Sequence, residues 1–258
     1  MEDSYMGLER IDKILTHLGV GTRKEVKKLC RLGNITVDGE MVRDSSEKVD
    51  PENVEIAVDG QVLEYKKYIY VMLHKPAGVV SATEDRQHTT VIDLLPEGFQ
   101  VFEPFPVGRL DKDTEGLMIL TNDGQFSHRV LSPKKQINKM YYVEVNRNIK
   151  DADFKRIEEG IALEDGYVTM PAVVSTIESL APDKKANIPE TFHSAYANQR
   201  FMLTIQEGKY HQVKRMVEAA GSEVVYLKRI SVGNLVLDSQ LAPGDCRELT
   251  EDEMEGIL

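Results

Sequence analysis

The chain has 258 residues, of which 41% are hydrophobic and 29% charged, with a formal net charge of −11. That length suits a small domain joined to a larger one, and the composition is that of a globular chain with a core, which excludes extended disorder. No apolar run approaches the ~18 residues that span a bilayer, and the acidic start lacks the basic-then-apolar order of a secretory signal, so a cytoplasmic protein without membrane association is expected. The two cysteines, Cys30 and Cys246, lie far apart with neither CxxC nor ligand spacing, which points to a reduced compartment and no disulfide. The six histidines form no HExxH or similar cluster, so no metal site is expected.

Net acidity argues against a nucleic-acid partner, yet the charge is segregated along the chain. Five bases (Arg23, Lys24, Lys27, Lys28, Arg31) face one acid, Glu25, between residues 23 and 31, whereas residues 241–258 hold six acids and one base, Arg247.

The first predicted element is a helix in "LERIDKILTHLG", where Leu8, Ile11, Ile14, Leu15 and Leu18 share a stripe that stops at Gly19. A second helix opens with Thr22 and Glu25 in the T-x-x-E capping box and closes at Gly33. Its buried face is Val26, Leu29 and Cys30, and the five bases occupy most of the rest. Asp38-Gly39 and Asp59-Gly60 each divide two short β-prone runs, the strongest short hairpin signal.

This helix, helix, hairpin order, with "TRKEVKKLCRLGNITVDGEMV" and "VDPENVEIAVDGQVL", resembles the S4-type RNA-binding domain over residues 1–63. The resemblance implies an RNA surface on the second helix and the strand after it, formed by Arg23, Lys24, Lys27, Lys28, Arg31 and Asn34.

A polar "EYKK" separates this unit from a second domain, residues 68–258. There "YIYVMLHKPAG" reads as a buried strand over residues 68–73 followed by a turn. Further strands are expected in "MYYVEV", "AVVSTIESL", "RFMLTIQ" and "VVYLKRISVGNLVL", with helices in "DADFKRIEEG" and "YHQVKRMVEAAG". With no regular βαβ alternation and no Gly-rich phosphate loop, the fold class is α+β, with a largely antiparallel central sheet. Residues 181–199 read as a surface loop long enough to be an insertion.

One stretch, "GRLDKDTEGLMILTNDG" at residues 108–124, crowds four acids around an apolar run. It divides into a polar loop over 108–116, a strand over 117–120 and a turn that includes Asp123. Asp113 and Glu115 read as solvated loop acids. Asp111 remains, beside Gly108 and Gly116, where a backbone can approach a ligand closely.

The pattern G-R-L-D-x-x-T-x-G-L, an apolar strand and T-N-D-G resemble the catalytic motif of RNA pseudouridine synthases. "KPAG" at 75–78, "KMYYVEV" at 139–145 and "EGKYHQVKRM" at 207–216 fit the same family in the same order. "NDGQFSHRVLSP" and "EGKYHQVKRM" are similar to the RsuA-type enzymes, which modify one uridine of 16S small-subunit ribosomal RNA, the uridine 516 class. The alternatives are a 23S ribosomal RNA synthase, since such enzymes share the architecture although they more often have Asn-Arg where this chain has Tyr210-His211, or a non-catalytic RNA-binding protein of ribosome assembly.

The resemblance implies breaking the uracil–ribose bond, turning the held base and rejoining it through carbon. That isomerisation involves no redox change, so no cofactor is expected; it needs a nucleophile or base, a grip on the detached base and exclusion of water. Asp111 takes the first role, by adding to sugar or base or by removing a sugar proton. Burial alone favours a neutral acid, and a cation beside it reverses that. The resemblance assigns that cation to Lys209, with a phosphate contact as its alternative, and stacking on the base to Tyr141 rather than Tyr142. Flipping a uridine out costs a few kcal/mol, and stacking returns ~1–3 kcal/mol. Arg109 is expected near the target nucleotide, gripping a phosphate or the displaced base. His128, Arg129, Lys134, Lys135, Lys214, Arg215, Lys228 and Arg229 are further candidate phosphate contacts. The expected partner is ribosomal RNA, naked or in an assembling 30S particle, with the protein a monomer.

Overall fold

A computed structural model describes residues 7–257. The chain forms two compact units, one running up to Ile69 and including Pro96–Glu103, the other comprising Tyr70–Leu95 and the chain from Pro104 onward. The return of Pro96–Glu103 to the first unit is not visible as a composition shift. It rests on contacts such as the edge-to-face packing of His17 on Phe102, with ring centroids 4.8 Å apart.

In the first unit β1 (Glu9–Arg10) leads into α1 (Ile11–His17) and α2 (Arg23–Leu32), with α3 (Glu97–Gln100) contributed by the returning segment. A four-stranded sheet of order β3-β2-β5-β6 is built from β2 (Ile35–Val37), β3 (Glu40–Met41), β5 (Ile56–Val58) and β6 (Gln61–Leu63), while β4 (Lys48–Val49) pairs with β1. Ile11, Ile14 and Leu15 are fully buried with Val26, Cys30 and Ile35. Leu8 drops out of the predicted stripe: it precedes the helix and is 40% exposed. The backbone explains this, because residues 9 and 10 pair with β4 and Ile11 N–H donates to Glu47 O (3.0 Å) instead of extending the helix. The Thr22–Glu25 capping box and the left-handed Gly33 bound α2 as its sequence predicts. Asp38-Gly39 and Asp59-Gly60 take the consecutive positive φ values (50° and 80°, 51° and 79°) of tight hairpins.

The second unit is a sheet of order β11-β12-β10-β13-β9-β7-β15, made of β7 (Tyr70–Lys75), β9 (Glu115–Thr121), β10 (Lys139–Val145), β11 (Val173–Ser175), β12 (Gln199–Ile205), β13 (Val224–Val232) and β15 (Cys246–Glu248). Two short strands join its margins, β8 (Phe105–Pro106) on β9 and β14 (Leu235–Val236) on β13. Every ladder is antiparallel except β9 on β13. Its helices are α4 (Gly124–Leu131), α5 (Asp151–Glu159), α6 (Pro182–Lys185), α7 (Gln212–Ala219) and α8 (Glu251–Glu255). Leu117, Met118, Ile119 and Leu120 are all buried, as are Val71, Met72 and Leu73. Continuous apolar runs of this kind mark strands covered on both faces.

Three segments read from sequence gain specific partners in the structure. Asp123, read from the sequence only as part of a turn, caps α4 by accepting from Gln125 N (2.9 Å) and Phe126 N (3.0 Å), and it accepts from Tyr70 Oη (2.8 Å). The segment at 181–199 is largely exposed and irregular apart from α6, as expected of a surface loop, and it is tied down at particular points. Buried Glu144 accepts from His193 N (2.6 Å) and Ser194 N (2.8 Å), and Asn187 Nδ2 donates to Leu237 O (2.7 Å). The acidic end of the chain is likewise built in, since β15 pairs with β7, and Arg247 bonds Asp238 and both oxygens of Glu253, the latter also the capping-box acid of α8.

The parallel contact of β9 with β13 sets Gly116 against Arg229. Gly116 has φ 107°, and a Cβ there would lie 2.2 Å from Arg229 O and 2.7 Å from Arg229 N. Any side chain forces these strands apart. Gly116→Ala is therefore expected to destabilise the protein by about 3 kcal/mol, lowering Tm by roughly 6–12 °C. A thermal unfolding scan checks this, and a Tm within about one degree of wild type contradicts it.

Candidate active site

Gly116 on β9, Arg229 on β13 and Tyr141 on β10 occupy one row across three adjacent strands. The loop bearing Asp111 enters β9 at that row, and α7 lies just before β13. Asp111, Tyr141, Arg109, Lys209, His211 and Lys214 thereby line a single pocket.

The Asp111 loop is pinned on both sides of the acid. Ser81 Oγ accepts from Leu110 N (3.0 Å) and donates to Leu110 O (2.8 Å). Gly78 N donates to Lys112 O (2.8 Å). The fully buried Lys75 donates through Nζ to the carbonyls of Pro76 (3.0 Å), Lys112 (3.2 Å) and Thr114 (2.8 Å). Burial pushes the Lys75 ammonium down to about 8, and the three carbonyls supply the hydrogen bonds a buried ammonium needs. The "KPAG" stretch thus acts by fastening the loop that presents Asp111.

Asp111 keeps about a quarter of its side-chain surface exposed and lies between two basic groups. Lys214 Nζ is 3.1 Å from its Oδ2, and His211 Nε2 is 3.4 Å from its Oδ1. The cation against this carboxylate is therefore Lys214, not Lys209 as the motif alignment implies. The reason is local: α7 begins at Gln212, which places Lys214 in its first turn beside the loop, whereas Lys209 precedes the helix. Lys209 Nζ sits 5.1 Å from the centroid of the Tyr167 ring, a cation–π contact. Lys214 also bonds Asp113 Oδ1 at 2.6 Å. Burial pushes the Lys214 ammonium down, but its hydrogen bonds to Asp113 and Asp111 outweigh this and hold it above the ordinary lysine value. Burial raises Asp113, and the Lys214 hydrogen bond and charge more than reverse it.

Asp113 and Glu115 were expected as loop acids exposed to water; Asp113 is exposed, whereas Glu115 is half-buried, and both have partners. Asp113 shares Lys214, while Glu115 accepts from Tyr226 Oη at 2.7 Å. The choice between adjacent tyrosines is decided by the pleat. Tyr141 lines the pocket, and the register of β10 on β13 slips between Met140 and Tyr141, the kind of bulge that re-aims a side chain. Tyr142 faces the other way, fully buried, with its hydroxyl donating to Glu144 Oε1 (2.6 Å).

Arg109 is exposed at the pocket. His128 and Arg129 lie exposed on α4 and do not line it, and Lys134 and Lys135 are exposed beyond that helix. Arg215 turns away to Asp165 (2.6 Å). Lys228 and Arg229 are buried, donating to Asn187 O (3.2 Å) and Leu117 O (2.8 Å), which corrects their reading as phosphate contacts. In the first unit Arg23, Lys24, Lys27, Lys28 and Arg31 are all exposed on α2, and Asn34 Nδ2 donates to Asp59 Oδ1. His211 went unassigned in the sequence. Its motif was visible, but its left-handed backbone (φ 48°), which opens α7, was not.

Among the described residues no group of three or more His, Cys, Asp or Glu could hold a metal ion. What the pocket offers is a carboxylate between an ammonium and an imidazole, with an aromatic ring on the same wall. Such a set can add to a carbon or take a proton while a planar base is held by stacking.

Comparison with known proteins gives the same reading. A family model described as RNA pseudouridylate synthase matches residues 69–219, and one for the S4 domain matches residues 9–56. A Bacillus subtilis protein described as an uncharacterized RNA pseudouridine synthase is 49% identical over 95% of this chain and 96% of its own. The Escherichia coli ribosomal small subunit pseudouridine synthase A is 38% identical over 96% of this chain and all of its own length. The ribosomal large subunit pseudouridine synthase B of Bacillus subtilis is 36% identical over 97% and 96%. A crystal structure of a pseudouridylate synthase superposes with a TM-score of 0.62 at 33% identity, covering 96% of this chain and 99% of that one. With its S4 domain, its synthase domain and relatives of this identity along its whole length, the chain belongs to the RNA pseudouridine synthases of the RsuA type.

Proposed function

We propose that this enzyme converts one uridine of 16S small-subunit ribosomal RNA, the uridine 516 class, to pseudouridine, with Asp111 as the catalytic group. The observation that carries the reading is the Asp111 carboxylate held between Lys214 and His211 in the pocket that also takes Tyr141. Asp111 attacks sugar or base or removes a sugar proton, Lys214 supplies the opposing charge, and Tyr141 stacks on the uracil as it turns. Lys209 and Arg109 are left for phosphate or base contacts at the pocket. The enzyme works as a cytoplasmic monomer on naked RNA or the assembling particle. A large-subunit RNA target is the second reading, favoured by the 36% identity to a synthase of that name.

Rejoining the base through carbon displaces the hydrogen at uracil C5, so release of tritium from ribosomal RNA labelled there reports turnover. Asp111→Asn is expected to abolish release and Lys214→Met to lower kcat about a hundredfold or more. Lys209→Met is expected to leave kcat within about fivefold and act mainly on KM. Equal kcat losses for the two lysine variants would restore Lys209 as the partner. If Asp111→Asn turns over like wild type, Asp111 is not catalytic.

The exposed bases of α2 serve as phosphate contacts in this reading. Neutralising Lys27, Lys28 and Arg31 together with Gln is expected to weaken RNA binding and reduce the slope of log K against log salt by about 2–3, at ~0.7–0.9 per phosphate. Binding titrations at several salt concentrations measure it, and an unchanged slope rules out that role.

A further inference from the structure

Tyr210 is unusual in being displayed so openly beside a reaction centre. It is 77% exposed, and its ring lies stacked on His211, with centroids 3.8 Å apart and planes 15° from parallel. His211 Nε2 in turn stands 3.4 Å from Asp111 Oδ1. The tyrosine ring is thus two contacts from the carboxylate, with one face covered and the other open.

The turn carrying it is fastened rather than loose. Glu207 accepts from Tyr167 Oη, from Met170 N (2.8 Å) and from Gln212 Nε2 (2.7 Å), and Gln212 Oε1 accepts from Lys209 N (2.9 Å). His211 at φ 48° has a backbone conformation that a non-glycine residue keeps only when its surroundings hold it. Tyr210 joins none of the apolar clusters of the described residues. The fold therefore holds an aromatic ring in place without burying it.

We propose that the open face of Tyr210 is a stacking platform for the nucleobase next to the target uridine in the RNA strand. This rests on the reading of the Asp111 pocket as the uridine site. Every nucleobase offers a π-face, so such a platform accepts any neighbour, and exposed Lys209 and Arg109 nearby supply charge for the phosphates on either side. When the target leaves its stack, the neighbour would otherwise collapse back; a fixed ring under it holds the strand open. Because Tyr210 touches the neighbour and not the reacting base, it acts on binding of the flipped strand rather than on the chemical step.

The alternative is a solvated tyrosine, and Tyr196 is one to compare: neither ring lines the pocket itself, but Tyr210 stacks on the pocket residue His211, whereas Tyr196, 80% exposed, lies on the segment anchored by Glu144. The test uses a synthetic hairpin bearing the uridine that the wild type modifies in ribosomal RNA, with copies made abasic at the nucleotide 5′ or 3′ of it. On the intact hairpin Tyr210→Ala is expected to raise KM and Kd about tenfold with kcat within about twofold, while Tyr210→Phe and Tyr196→Ala match wild type. On one of the two abasic copies wild type and Tyr210→Ala should coincide. The platform is overturned if Tyr210→Ala binds the intact hairpin like wild type, if its penalty persists on both abasic copies, or if the loss falls on kcat alone. The last result would mean that the ring only steadies His211. A wild type inactive on all ribosomal RNA overturns the pocket reading itself, whereas an active wild type with an unaffected Tyr210→Ala overturns only the platform.

Discussion

The catalytic unit depends on the backbone contact of Gly116 with Arg229. The parallel ladder of β9 on β13 is the one departure from antiparallel pairing in this sheet, and it brings together chain segments that no hairpin joins. Because Gly116 has no Cβ, β9 can close on the Arg229 peptide, and the loop before it then opens beside the helix that precedes β13. Arg229 reinforces the contact from its side chain, donating to Leu117 O on the neighbouring strand. Asp111, in the loop before β9, meets Lys214, on the helix before β13, beside that row.

Charge in this acidic chain is spent locally. Acids that look interchangeable in sequence have separate partners: Asp113 shares Lys214, Glu115 holds Tyr226, Asp123 caps a helix and Glu253 binds Arg247. Buried Glu144 orders the 193–194 backbone on the face of the sheet away from the pocket. Lys75 does the converse, bringing a buried cation to three carbonyls so that the Asp111 loop has no slack. Among the described residues Arg109 and Lys209 have no partner of opposite charge at the pocket, and they are what an anionic strand would meet.

Much of this was legible in the residues. The Thr22–Glu25 box, the two Asp-Gly hairpins and the apolar runs of β7 and β9 are local signals, and local hydrogen bonding and burial produced the elements they predict. Asp111 and Tyr141 were singled out by motif context, and both line the pocket. The rest depends on contacts distant in sequence or, for one pair of lysines, on where a helix starts. Lys209 and Lys214 are both plausible cations in "EGKYHQVKRM", and only the helix start at Gln212 tells which one reaches the loop. Lys228 and Arg229 look like surface bases until β13 is seen in the centre of the sheet. The segment at 181–199 reads correctly as a surface loop, and only its ties to Glu144 and Leu237, distant in sequence, were not visible.

An Asp111 that isomerises one ribosomal uridine leaves a trace in the cell's own RNA. Mapping pseudouridine across the ribosomal RNA of cells that lack the gene, complemented with wild type or with Asp111→Asn, tests it most directly. A single small-subunit site is expected to lose its pseudouridine on deletion, regain it with wild type and stay uridine with Asp111→Asn at equal protein levels. A site restored equally by both proteins, or a pseudouridine map unchanged by deletion, would contradict it.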